Sequence, residues 1–504
     1  MNIRTMTRKD FVRLLGSVTA VPMLPSFSFG ATKKDVAISF RSSINRIDPA
    51  FTISGDEYAV TQAIYDNLVR LGPDLQAKPG LAESWETIGE ADHWRFKLRS
   101  GVRFHSGRNM DAEDVVYSIR RILDKATGSA GRNAIGPIET VTAAGPNVVE
   151  FKLTSPLADF PLLMTQTFAR IVPKDAGNLD TKPIGTGPFK FVNWMPGQQI
   201  QLTRNEDYWE VGTPKIDNVR FVTYPTQTGE QAALTSGQTH MMWDVPLSLI
   251  PVVSRLPGLV LEEVATTAFQ PICMRSDRPP FDNPKVRLAM KHAINRELVT
   301  KIVLQGHGTI AQDLPVGQAS PFFAGGKAPE YNPARARALL EEAGIKDLSL
   351  TLFATNERAG CLETAQVVKP MIEAIGVRVD IQQRPWDRFL AEVWKKENFF
   401  VGTWLGRITI DEQLYPFYHS SGSWNEYSYS NPEVDRLLDD ARRATDLAKR
   451  KELYAKVQEI LAFDGPAIIP YFMNYACAKS EKLKGVPPMP NKWVELRGAD
   501  LVTS

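Results

Sequence analysis

The sequence predicts an α/β protein built as two lobes. Three observations carry that expectation. The stretch 348–381 reads as strand, helix, strand, which calls for parallel strands and a right-handed crossover. The stretch H-W-R-F-K-L-R (93–99) alternates strictly, with Trp94, Phe96 and Leu98 on one side and Arg95, Lys97 and Arg99 on the other, as in a half-buried antiparallel strand. The pattern shifts at Asp282, where D-N-P-K-V-R-L-A-M-K-H-A-I-N-R (282–296) opens an amphipathic helix with Val286, Leu288, Ala289, Ala293 and Ile294 on its buried side. With 504 residues, 43% of them hydrophobic and 23% charged, the chain is long enough for two or more cores. It has no Gly/Ser linker, so the lobes should pack closely.

The elements follow in order. Arg4, Arg8, Lys9 and Arg13 precede an apolar stretch (14–29) broken by Pro22 and Pro25, and small residues end it in S-F-G-A (28–31). A basic start, a short apolar middle and a small-residue end make residues 1–31 an export signal. The apolar part is too short and too proline-broken to span a membrane. T-R-K-D-F-V-R (7–13) is similar to a twin-arginine signal, with Lys9 in the second arginine place. Removing 1–31 takes away four cations and one anion, so a formal charge of +2 becomes −1. No basic excess remains to hold nucleic acid or an anionic lipid surface.

A strand is expected at 36–40, stopped by Asp48-Pro49, then a helix over 61–71 on the spacing of Ile64, Leu68 and Leu71. A further helix spans 112–125 behind Asp111 as its cap. Strand zones at 147–153 and 189–202 flank P-I-G-T-G-P-F (183–189), too rich in Gly and Pro for a regular element and therefore a tight crossing or hinge. A strand at 215–223, a short helix at 230–236 and a strand at 241–245 complete the first half. The second half adds helices at 335–344, before 375, at 386–396, 432–445 and 447–463. Its strands lie at 348–354, at 377–381, around Phe400 and at 467–472, the last closing this half. The C-terminal residues return to the first lobe.

Only three cysteines occur, Cys273, Cys361 and Cys477, none near the signal, so a lipid-anchored cysteine at the cleavage point is excluded and a periplasmic location is expected. They allow one disulfide at most. Six scattered histidines form no H-x-x-x-H array, which argues against a zinc or nickel site, and no cofactor is expected.

Five segments, taken together, resemble the solute-binding proteins of ABC importers, the large peptide- and nickel-type family. They are A-E-S-W-E (82–86) with H-W-R-F-K-L-R-S-G-V-R-F-H-S-G-R-N-M-D-A-E-D-V-V-Y-S-I-R-R (93–121), I-G-T-G-P-F (184–189), N-E-D-Y-W (205–209), P-P-F-D-N-P-K-V-R-L-A-M (279–290) and Y-S-N-P-E-V-D-R-L-L (429–438). The resemblance covers essentially the whole chain after the signal. It implies a two-lobed periplasmic-binding-protein fold that closes over its ligand, with lobe I at 32–64, 187–275 and 479–504, a subdomain inserted in lobe I at 65–186, and lobe II at 276–478. It also implies a monomer that hands a small-molecule or peptide-like solute to ABC permease subunits driven by ATPases.

The site expectation centres on T-W-L-G-R-I-T-I-D-E-Q-L-Y (403–415), an apolar strand ending on a loop that holds Arg407 and Asp411. In oligopeptide binders of the family a strand ending W-x-x-D offers Trp to the ligand and Asp to its ammonium group. This chain has W-L-G-R, Trp404 to Arg407, so a cation stands where the anion would be. A guanidinium repels ammonium and seeks carboxylate or phosphate through paired N–H donors. Other relatives carry G-R-x-D-P-D, which Gly406, Arg407 and Asp411 match while Thr409 and Ile410 do not. P-W-D-R-F-L (385–390) is similar to the W-x-x-F-L segment whose Trp faces peptide ligands and nominates Trp386. Tyr427 and Asn425 are further candidates on a Ser-rich loop, and Trp243, Ser43 and Asn45 on the first lobe. The rival reading pairs Arg407 with Asp411 internally. His419 and Asp439-Asp440 are expected to be solvated surface.

The expected function is capture of an amphipathic organic solute with an anionic group, such as a modified peptide or an opine-like conjugate. An ordinary di- or oligopeptide is the alternative solute. An exported hydrolase is disfavoured because there is no G-x-S-x-G elbow and no persuasive Cys–His nucleophile. A receptor feeding a sensor rather than a transporter stays open.

Overall fold

The computed structural model describes residues 34–502. The predicted export signal lies outside the described residues.

Three sheets organise the described chain. The largest has eight strands. Strand Asp35–Phe40 lies at its centre, parallel to both Asn218–Thr223 and Met241–Met242. The hairpin Phe189–Met195 and Gln199–Arg204 extends one side; Tyr471–Ser480 and Leu259–Phe269 extend the other, and the short strand Gly308–Ile310 pairs with Tyr471–Ser480. Its core gathers Ile38, Phe40, Phe221 and Tyr475 with Val486, Val494, Leu496 and Ala499 from the C-terminal residues, which return here.

A four-stranded antiparallel sheet contains Ala82–Thr87, His93–Leu98, Val148–Leu153 and Ile138–Gly145. Trp94, Phe96 and Leu98 are buried and Arg95 and Lys97 exposed, because successive side chains of a pleated strand face opposite ways. Helix Ala112–Leu123 covers the buried face. Its Asp111 cap accepts from the Asp114 amide, and the Asp114 carboxylate in turn accepts from the Asp111 amide.

The helix expected over 61–71 is corrected. Ser54 and Glu57 form a capping box that starts the helix at Gly55, and it ends at Ile64. Asp66, just past its end, then accepts from three donors of other segments: Tyr208 Oη at 3.1 Å, Trp209 Nε1 at 3.0 Å and Thr186 Oγ1 at 3.2 Å. Val69–Leu71 becomes a short strand paired with Ala77–Pro79. Three residues of that hub, Thr186, Tyr208 and Trp209, come from the I-G-T-G-P-F and N-E-D-Y-W motifs. Gly185 and Gly187 are glycines because a Cβ there would stand 2.1 Å from Ile64 O and 2.5 Å from Ile64 C.

The third sheet has the order Val377–Gln383, Leu348–Ala354, Phe399–Val401, Ile272–Met274, Ala467–Ile468. Leu348–Ala354 and Val377–Gln383 are parallel, with helix Cys361–Glu373 between them in sequence. The strand expected over 467–472 is two strands. Ala467–Ile468 belongs to this sheet, and Tyr471–Ser480 belongs to the eight-stranded one. The return crossing has the same form, with Leu259–Phe269 in the first sheet and Ile272–Met274 in the third. Prolines mark both breaks, Pro271 and Pro470, since a residue without N–H cannot continue a ladder. Between them Gln270 is buried, accepts from Tyr471 Oη, and donates to Ala359 O at 2.7 Å. Arg296 holds Asp313 with two donors, and Asp313 Oδ1 accepts from the Ile469 amide at 2.9 Å. Two strand crossings between an eight-stranded and a five-stranded sheet are the connection of a two-lobed binding protein.

Candidate functional site

Phe400 sits in the middle of the five-stranded sheet, paired with Cys273 and Phe353. The chain leaves the sheet at Gly402, and Trp404 is zipped to Phe269 at the crossing by two backbone bonds of 2.9 and 3.1 Å. Arg407 N donates to Thr267 Oγ1 at 3.0 Å, and the hydroxyl donates to Arg407 O at 3.2 Å. A Cβ at Gly406 would lie 2.8 Å from that hydroxyl, so glycine lets the loop lie against the crossing strand. Helix Ile410–Tyr418 follows at once, started by a capping box of Thr409 and Glu412. Asp411 is therefore in a helical first turn rather than on a free loop.

The structure assembles three further aromatics around Arg407 and Trp404. Trp404 stacks on Trp424 at 5.7 Å and meets Phe417 edge-on at 4.3 Å and Trp394 at 6.4 Å. The Arg407 guanidinium carbon stands 4.7 Å from the Trp424 ring centre and 5.9 Å from that of Trp404. Among the described residues no carboxylate lies within ion-pair distance of Arg407, and its Nε is buried without a hydrogen-bond partner. Burial pulls its pKa down, with the charge of Glu412 opposing. A narrow cleft of about 10 Å³ lies against it, lined by Leu75, Leu162, Thr267, Ser320 and Phe322 with Arg407 itself. An arginine on aromatic faces, with donors unspent beside a crevice, is a ready partner for a planar anion.

Asp411 does not serve Arg407. It lies 3.1 Å from Arg442 Nε, close as charges though not aligned as a hydrogen bond, which overturns the Arg407–Asp411 pairing. Its carboxyl is pushed up to about 7 by burial, with Arg442 opposing and Asp159 adding to the shift. Asp159 is itself buried and paired with Arg450 Nη2 at 2.5 Å. Ala158 N donates to Arg442 O at 2.7 Å, and Gln166 Nε2 to Glu412 Oε1 at 3.1 Å. This seam joins segment 158–166 to the helices Ile410–Tyr418, Pro432–Arg443 and Leu447–Phe463.

The other expected residues occupy separate places. Trp386 is half-buried, stacked on Phe389 at 5.4 Å and capped by the Arg358 guanidinium at 4.4 Å. Tyr427 points inward, fully buried against Tyr418 at 5.3 Å. Asn425 is spent on its own loop, donating to His419 O and Tyr429 O and accepting from the Tyr429 amide. Trp243 is buried against Phe40 and Tyr475, its ring over Gly55. Ser43 and Asn45 are exposed on the loop after Asp35–Phe40, where the Asn45 amide donates to Glu57. His419, expected in solvent, is buried and stacked on Tyr415 at 4.3 Å.

Sequence reasoning missed Trp424, Trp394, Phe417 and Glu426. Glu426 is fully buried and binds both neighbouring indoles, Trp404 Nε1 at 2.8 Å through Oε1 and Trp394 Nε1 at 2.7 Å through Oε2. Cys273 Sγ adds a weaker contact of 3.4 Å. The available signal was S-W-N-E (423–426), a tryptophan and an acid in a loop whose other residues are small and polar.

The fold and this aromatic seam beside the crossings define a two-lobed solute-binding protein. Residues 76–425 match the bacterial extracellular solute-binding proteins, family 5 (middle region), and the chain belongs to that family. It is 26% identical over 519 residues to the glutathione-binding protein GsiB of Pectobacterium atrosepticum, covering 99% of this chain and 100% of that one. Its fold superposes on HbpA2 from Haemophilus parasuis with a TM-score of 0.86 at 23% identity, over 93% of this chain and 100% of that one. It also superposes on the periplasmic binding protein DppA from Helicobacter pylori, solved with the peptide STSA, with a TM-score of 0.72 at 26% identity, over 92% and 98% of the two chains.

Proposed function

We propose that this chain captures an anionic, peptide-like solute between its two lobes in the periplasm and delivers it to an ABC permease without chemically altering it. The observation that carries the reading is Arg407, a guanidinium on two indoles with no carboxylate within ion-pair distance among the described residues. Glutathione is the first solute to test. It offers two carboxylates for one ammonium, and it is the named ligand of full-length relatives. Trp404 and Trp424 supply apolar area at about 25 cal/mol per Å² buried, and Arg407 selects charge. Trp386, Ser43 and Asn45 are assigned to the outer walls of the same cleft, and Trp243 supports the first-lobe wall from behind. We keep the lobe division read from the sequence, with the limits of lobe II moved to Pro271 and Pro470, where the strands change sheet.

Binding closes the lobes only as far as the closed form binds solute better. A thermal-shift panel of glutathione, a neutral dipeptide and a dicationic peptide tests the reading. Glutathione at about 100 times its dissociation constant adds roughly 2.7 kcal/mol to stability, and the dicationic peptide adds none. A panel in which the dicationic peptide stabilises and glutathione does not would overturn it.

A further inference from the structure

The Glu426 carboxylate is the buried polar member of the aromatic seam, and its position is hard to explain as packing. It is buried with 1% of its surface exposed. No cation pairs with it among the described residues. What surrounds it is donors: the indole N–H of Trp394, that of Trp404, and the Cys273 thiol. Burying a carboxyl group is costly unless its oxygens are satisfied. Two N–H donors converging on two oxygens of one group require an acceptor at both places. A carboxylate provides this, whereas a glutamine would turn an N–H toward one of the indoles.

We propose that Glu426 is the positioning residue of the solute site: its two oxygens hold the Trp394 and Trp404 rings in the one arrangement that presents an aromatic face to the solute and seats Arg407 on it. The proposal rests on the functional reading above, since it deepens the same site. It ties together three segments that are far apart in sequence. Trp394 ends the helical turns 386–393, Trp404 is bonded through its backbone to Phe269 at the crossing, and Glu426 lies in the loop that also carries Trp424. Through Trp404 the same carboxylate therefore fixes both the grip of the site and its registration against the crossing strand.

The arrangement is also sensitive to a proton. Burial raises the Glu426 carboxyl to about 7, with the indoles and Cys273 pulling the other way. The other titratable groups facing it are Tyr427, Tyr418 and Cys273, whose own ionisation burial moves well into the alkaline range, and Arg407 lies beyond the indole rings. Protonating Glu426 removes the charge that strengthens both indole bonds, so the rings loosen as pH falls through about 7.

The test reads tryptophan emission of the full chain without solute, titrated from about pH 5 to about pH 9. The expected result is a transition with its midpoint near 7, reduced in size in Glu426→Gln. Trp394→Phe takes away one donor to the charged form and moves the midpoint upward. A transition of equal size and midpoint in Glu426→Gln, or an unmoved midpoint in Trp394→Phe, overturns the proposal. Should Glu426→Gln fail to fold, the Trp394→Phe arm decides alone. A second arm uses glutathione as probe: Glu426→Gln weakens its binding about tenfold or more, and unchanged affinity contradicts the positioning role. If glutathione does not bind the unaltered protein, the solute assignment fails while the emission titration still judges Glu426.

Discussion

Arg407 has two aromatic faces for support and no ion-paired acid among the described residues, and that combination sets its expected behaviour. Removing the guanidinium from a charge-assisted contact costs about 1.5–3 kcal/mol. Arg407→Ala is therefore expected to weaken binding of an anionic solute by roughly 10- to 150-fold and to lower thermal stability only by the stacking it loses on Trp424 and Trp404, about 1 kcal/mol. Arg407→Lys keeps the charge but loses the planar fork and the stacking on Trp424, so calorimetric titration should place it between the two. Equal affinity in all three proteins would remove Arg407 from the site. Much of this was legible in the sequence, since W-L-G-R departs from W-x-x-D at one chemically decisive place. What was not legible was the company the residue keeps. Tyr427 and Asn425 looked available in a polar loop, yet one turns inward onto Tyr418 and the other closes its own loop. Trp424, between them and the strand, is the one that faces Arg407.

At the scale of elements, the seam between segment 158–166 and the second-lobe helices rests on a buried ion pair. Asp159 is 1% exposed and Arg450 9%, at 2.5 Å. Removing one partner leaves an uncompensated buried charge, so Arg450→Ala should cost about 3–5 kcal/mol in denaturant unfolding, whereas replacing both partners by apolar residues should cost much less. Two equal losses would show that the pair acts through packing alone. Local signals in the sequence explain where element prediction held and where it failed. Strict alternation at 93–99 and the Asp111 cap gave a strand and a helix start that the structure has. The 61–71 helix failed because apolar spacing at Ile64, Leu68 and Leu71 is shared by a helix end, a turn and a strand. The Ser54–Glu57 capping box was the better guide. The same motif at Thr409 and Glu412 announces the helix that carries Asp411. The 467–472 strand failed because sheet membership is a tertiary fact, signalled locally only by Pro470.

For the whole molecule, three buried acids, Glu230, Asp411 and Glu426, are each raised by burial to about 7. A folded state that holds protons the unfolded chain has already lost is stabilised below the folded pKa and loses that advantage as pH rises. The three acids together outweigh His105, which burial lowers to about 4 and which acts in the opposite sense, so stability is expected to fall between about pH 4.5 and about pH 7 and to level off above, and melting temperatures across that range check it. A rise through the same window would mean that these carboxyls are ionised in the fold. The two crossings at 269–272 and 468–471 link the eight-stranded and five-stranded sheets, and the aromatic seam is bonded directly to one of them. The central claim is that a solute anion joins the lobes at Arg407. A crystal structure of the chain with glutathione tests it most directly. The account predicts a solute carboxylate within about 3 Å of the Arg407 guanidinium, with the peptide against Trp404. Glutathione bound elsewhere, or bound at the seam with its carboxylates turned away from Arg407, would contradict it.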